Sequence, residues 1–113
     1  MAERLSYWPA DPSVGVLDLT AGDLLRRTAA TDPDRTALVS VAPSLPGSAS
    51  EAYTRTWTYA QLLAEAEQAA QWLLTRFAPG ENIAVWAPNV PEWVILQYGA
   101  ALAGLVLVTA NPA

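Results

Sequence analysis

The final thirty-two residues, Asn82 to Ala113, constrain the fold more than any other stretch. Asn82-Ile83-Ala84-Val85-Trp86-Ala87 is an apolar run of strand length, and Pro88-Asn89-Val90-Pro91-Glu92 is a turn that opens a helix. Trp93 to Ala103 has a helical composition, Gly104 stops it, and Leu105-Val106-Leu107-Val108-Thr109 is a second strand broken by Asn111-Pro112. Strand, helix and strand in this order make one β-α-β unit. Its two parallel strands are expected to be buried on both faces, with neighbours and a layer on each side. With the sequence ending just after the second strand, the unit reads as the opening of a larger sheet.

The preceding residues supply smaller elements. Met1 to Leu19, with Pro9, Pro12 and Gly15, is irregular and reads as an extended N-terminal arm. Thr20 can cap a helix from about Ala21 to Ala30, with Asp23 in its first turn favouring the dipole and Leu24, Leu25 and Thr28 as a short apolar face. Pro33 ends it and biases Asp32 toward extended geometry. Thr36 to Ala42 and Ala52 to Trp57 are short strands expected to pair as an antiparallel hairpin, joined by the Pro/Ser/Gly-rich residues 43–50. Thr58-x-x-Gln61 fits a capping box. The helix that follows carries Leu62, Ala66, Ala69, Ala70, Leu73 and Phe77 on one face, and Pro79-Gly80 closes it. The organisation is therefore an arm, residues 1–19, followed by an incomplete α/β subdomain, residues 20–113.

Composition excludes several function classes. The 113 residues contain no cysteine and no histidine, so they offer no disulfide, thiolate nucleophile or imidazole. There is no lysine either, and the net charge is −5 with no basic cluster beyond Arg26-Arg27. A nucleic-acid partner is excluded on that ground. The first residues lack a continuous apolar stretch, so a cytoplasmic location is the expectation. Trp93 to Ala113 carries no side-chain charge and approaches the length of a membrane span. Gln97 and Gly104 interrupt it, its composition shifts to strand-forming Leu and Val, and no Lys or Arg flanks it, which argues against an integral span.

Each candidate site has a plainer structural reading. The Pro88–Glu92 turn joins a strand end to a helix start, a place where α/β folds bind phosphate. However, Pro91 suits a first helical turn, Asn89 can cap it, Glu92 would repel an anion, and no glycine lets a phosphate near the backbone. Glu65 and Glu67 diverge on their helix and read as a solvated face. Glu81 and Glu92 have no partner base. Asp32, Asp34 and Arg35 read as turn contacts, and Asp18 and Asp23 lack metal-loop spacing. Of the five tryptophans, Trp86 and Trp93 are expected in the core and Trp72 on the surface, with core preferred over a stacking site. No residue is assigned a catalytic, cofactor-binding or metal-binding role.

Three segments in order carry a family resemblance: Trp57-Thr58-Tyr59-Ala60-Gln61-Leu62, Val85 to Trp93, and Ala101 to Ala113. The first resembles the T/S-Y-x-E-L motif of the acyl-adenylate-forming enzymes, with Gln61 where Glu is usual. The last resembles their AG-x-x-x-x-x-NP motif, and its Asn111-Pro112 is more like the acyl-CoA synthetase branch than the amino-acid-activating one. The resemblance covers roughly Thr20 to Ala113. It implies an N-terminal fragment of the large α/β domain of a fatty-acyl-CoA synthetase. Such a parent uses ATP, Mg²⁺ and CoA to make acyl-CoA, AMP and pyrophosphate. The family's lysines, Mg²⁺ ligand and ribose-binding Asp lie in segments absent here, so the fragment itself is expected to bind no cofactor and to act as scaffold. Its expected partners are the remainder of the parent enzyme or a second copy, with fatty acid as the parent's substrate. The alternatives are a self-contained acidic interaction module and a membrane-tethered tail.

Overall fold

The computed structural model describes residues 6, 8–42 and 53–110. In order these form α1 (Ala21–Thr31), β1 (Thr36–Ala42), β2 (Tyr53–Thr58), α2 (Tyr59–Leu74), β3 (Asn82–Trp86), α3 (Pro91–Leu102) and β4 (Val106–Ala110). The mixed α/β class is as expected. The residues joining β1 to β2 and the Asn111-Pro112 pair lie outside the described residues.

Local signals set the helix starts. At α1 the Thr20 hydroxyl accepts from the Asp23 amide at 3.1 Å, and Asp23 Oδ2 accepts from the Thr20 amide at 3.2 Å. At α2 Thr58 Oγ1 accepts from the Gln61 amide at 3.2 Å, while Gln61 Oε1 accepts from the Thr58 amide at 2.9 Å. Two reciprocal capping boxes thus satisfy amides that have no intrahelical partner. The Tyr59 and Ala60 amides at the start of α2 donate to the Arg35 and Pro33 carbonyls, both at 3.0 Å, which ties α2 to the turn after α1.

β1 and β2 pair antiparallel, with Val39 opposite Thr56 and Val41 opposite Thr54 and an irregularity between Thr36 and Leu38. β3 and β4 pair in parallel, from Asn82 opposite Val106 to Trp86 opposite Ala110. Gly80 and Gly104 take positive φ values of 90° and 70°, and the Gly80 amide donates to the Gly104 carbonyl at 2.8 Å. That bond sets the two strands level at their starts.

The core has two adjoining parts. In one, Ala70 and Leu73 of α2 and Ala100 of α3 pack with Ala103 over Ile83 of β3 and Leu105. In the other, Leu25 of α1, Trp57 of β2 and Leu62 and Ala66 of α2 meet. Between them α2 and α3 cross at backbone distance. A Cβ on Gly99 would lie 2.8 Å from Ala69 Cβ and 3.1 Å from the Ala66 carbonyl oxygen.

Both helices lie on one face of the β3–β4 pair. Ile83 and Val85 point into them and are buried, whereas Trp86, Val106 and Val108 are exposed. The expectation that Trp86 is core is therefore corrected: it is 77% exposed. Side chains alternate between sheet faces, and among the described residues only one face is covered. Trp93 is half-buried on α3. The apolar face expected on α1 is also corrected, because Leu24 is exposed and the buried positions are Gly22, Leu25 and Ala29. The helix is turned so that Gly22 meets Leu102 of α3.

Candidate functional site

One concave feature is a cleft of about 360 Å³ between the hairpin and the β3–α3 connection. Residues 38–41 of β1 form one wall, and Asn89, Val90, Pro91, Trp93 and Val94 form the other. None of these side chains is charged. The polar groups are the Ser40 hydroxyl and the Asn89 amide, set among valines, a proline and an indole.

The turn beside this cleft does not have the geometry of a phosphate loop. Val90 is the N-cap of α3 and no side chain caps the helix, so the expected Asn89 cap is corrected by one residue. Pro91 occupies the first turn as expected, where its missing N–H costs nothing. Glu92 also stands in the first turn, and its carboxylate opposes any anion there. This arrangement gives mainly apolar contact around the Ser40 hydroxyl and the Asn89 amide.

The acidic residues are placed apart. Glu65 is 37% exposed, and it also has partners that the expectation of a solvated face did not include. Its Oε1 accepts from Trp57 Nε1 at 2.9 Å and from Arg55 Nη2 at 3.3 Å, while the Arg55 guanidinium stacks over the Trp57 ring at 4.1 Å from its centroid. Sequence reasoning missed this trio because the eight-residue separation of Trp57 and Glu65 spans a strand-to-helix corner. The one local hint was an arginine two residues before a tryptophan, which puts both on one strand face. Glu67 pairs with Arg26 Nε at 3.6 Å across the α1–α2 contact, with both side chains about half exposed. Glu81 accepts from the Ala78 amide and closes the turn before β3. The Arg35 amide donates to the Asp32 carbonyl at 3.2 Å, a turn contact of the expected kind. Thr20 hydrogen bonds, with a smaller contribution from the Arg26 charge, hold the Asp23 carboxyl below its ordinary pKa. Among the described residues no group of three or more acidic, His or Cys side chains could hold a metal ion, and no helix is long and apolar enough to cross a membrane. Trp72 is exposed as expected, with Arg76 stacked over it at 4.8 Å.

Residues 25–113 match the family model described as AMP-binding enzyme. The chain belongs to the AMP-binding enzyme family. Among family relatives, it is 34% identical over 110 residues to the mouse (Mus musculus) medium-chain acyl-CoA ligase ACSF2, mitochondrial. That match covers 96% of this chain and 16% of the mouse protein. A Mycobacterium tuberculosis fatty acyl CoA synthetase superposes with a TM-score of 0.67 at 33% identity, over 81% of this chain and 16% of that one. A fatty acid AMP ligase from Legionella pneumophila shares the fold at 24% identity, with a TM-score of 0.64 over 82% of this chain and 15% of that one. The chain thus spans about one sixth of the length of these AMP-binding relatives.

Proposed function

We propose that this chain is the N-terminal scaffold of an ATP-dependent acyl-CoA ligase. The parent joins a fatty acid to AMP with release of pyrophosphate, then transfers the acyl group to CoA. The observation that carries the reading is the bare outer face of the β3–β4 pair, with Trp86, Val106 and Val108 exposed in a chain of this family. Parallel strands need cover on both faces. The missing layer is supplied by the remainder of the parent, or by a second copy in a homodimer.

The described residues do not fit a magnesium-bound triphosphate. The Pro88–Val90 turn has no glycine, and Glu92 stands where the phosphates would approach. No reaction step is therefore assigned to them. In this reading ATP, Mg²⁺ and CoA are held by other segments of the parent. Residues 1–19 serve as an arm and residues 20–113 as an incomplete subdomain. A cytoplasmic location rests on the N-terminal composition alone and is tested by fractionation.

A longer polypeptide containing this segment should form acyl-CoA from ATP, CoA and a fatty acid, whereas the 113-residue chain should not exchange pyrophosphate into ATP. Exchange by the chain alone would remove the scaffold assignment. Failure of the longer polypeptide with fatty acids of every length would remove the ligase assignment. A strictly monomeric, cooperatively unfolding chain at high concentration would instead favour a self-contained interaction module.

A further inference from the structure

Residues 8–19 precede α1 as an arm on which every residue is exposed. Trp8 and Val16 are 93% and 96% exposed, and Val14, Leu17 and Leu19 stand out beside them. Asp11 and Asp18 are the only charges on this stretch. A groove of about 270 Å³ lies nearby, where α1 and α2 meet the end of α3. Ala70, Leu74 and Leu102 form its apolar part, and Arg26, Glu67 and Gln71 its polar part. Arg26 faces Glu67 at 3.6 Å and Asp23 at 4.0 Å, both longer than hydrogen bonds, so the guanidinium keeps N–H groups for another carboxylate. None of residues 8–19 lines the groove.

We propose that this groove receives the arm of a second copy of the chain, in a reciprocal exchange. Val16 enters against Leu74 and Leu102, and Asp18 meets Arg26. Two residues apart, they share one side of an extended segment. The charges match, because the arm is acidic and the groove borders Arg26-Arg27, the only adjacent cations in the sequence. The geometry selects a second copy over the same chain. Arg26 lies about 9 Å along α1 from Thr20, at about 1.5 Å per residue. Thr20 is held extended, with φ −73° and ψ 162°, by its capping box with Asp23, and this leads the arm away from the helix. Folding back over α1 would undo that cap. The arm also starts beside its own groove, since Gly22 at the head of α1 meets Leu102. Two chains related by a two-fold axis therefore close both contacts at once. The contact involves neither the bare β3–β4 face nor the ligase reading.

The sequence has no cysteine, so introduced thiols report the contact directly. Val16 and Leu74 are exposed, and replacing them leaves the core intact. An isotope-labelled Val16→Cys chain is mixed with an unlabelled Leu74→Cys chain under glutathione disulfide. Mass spectrometry should find a mixed disulfide well in excess of that formed with Trp72→Cys, an exposed α2 position outside the groove. Equal yields overturn the proposal. A chain carrying both Val16→Cys and Leu74→Cys should cross-link into dimers. An internal bridge within a monomer overturns the second copy in favour of the same chain. Sedimentation equilibrium gives an independent readout: Val16→Asp should weaken self-association by about tenfold or more, the loss expected for one buried valine. Unchanged association overturns the proposal and assigns the dimer to another face, such as β3–β4. A chain that stays monomeric at every concentration overturns it as well, whether or not the longer polypeptide makes acyl-CoA.

Discussion

The Trp57 indole donates its hydrogen to Glu65 across the corner where β2 runs into α2, at 2.9 Å. Trp57 is the largest fully buried side chain, only 2% exposed, so its single polar atom depends on this partner. Glu65→Ala should destabilise the chain by about 1–3 kcal/mol, since it strands a buried donor. Glu65→Gln keeps an acceptor and should lose less. Urea unfolding of both variants checks the order. The Arg55 contribution to the same carboxylate is half exposed, and Arg55→Ala should cost under about 1 kcal/mol.

Gly99→Ala should destabilise by about 1–3 kcal/mol through overpacking, despite the better helix propensity of alanine. The added carbon would meet Ala69 Cβ at 2.8 Å, and behind it the α2 backbone at 3.1 and 3.3 Å. Trimming Ala69 to glycine in the same chain should restore only part of the loss, because the backbone contacts remain. A denaturant midpoint series of the single and double variants measures this.

Asn89→Ala should leave the midpoint within about 0.5 kcal/mol of the parent chain, as for most surface changes. Asn89 is exposed and makes no cap bond to α3. The same truncation at Thr20, which does cap α1, should cost about 1 kcal/mol. Thermal melts of the two variants side by side separate a real cap from a mere turn residue.

Asp23 should contribute a pH-dependent part of the stability. Its carboxyl is held below its ordinary pKa mainly by the Thr20 hydroxyl, then by the Thr20 amide. A depressed folded-state pKa gives stability that is present above the unfolded value, about 3.9, and is lost as the pH falls through the folded one. The gap in stability between the chain and Asp23→Asn should therefore be constant near neutrality and shrink below about pH 4. A gap that persists unchanged to the lowest pH measured would count against this.

Which features were legible follows from the range of the interactions involved. Thr58 and Gln61 are three residues apart, and their reciprocal bonds depend on almost nothing else, so the sequence pattern and the structure coincide. The strand-helix-strand order of residues 82–110 is likewise fixed by local composition and by Gly104. Trp86 was misjudged because alternation tells which residues share a face but not how many faces are covered. Leu24 was misjudged because the rotation of α1 is set by the close approach of Gly22 to Leu102, eighty positions along the chain. Asn89 and Val90 are adjacent candidates for one cap, and a shift of one residue decides whether a polar side chain can reach. The cleft itself joins residues 38–41 to residues 89–94, so nothing local could have announced it.

The crossing at Gly99 also limits how this sequence can drift over evolutionary time. Where side chains meet, a larger residue on one helix can be offset by a smaller one on the other, and lineages exchange volume across the contact. At Gly99 the opposing surface includes the Ala66 carbonyl and the Ala70 amide, which no substitution can shrink. Compensation is closed off there, so related chains that keep this crossing should hold glycine at this point while Trp72, Leu74 and other exposed α2 positions vary freely.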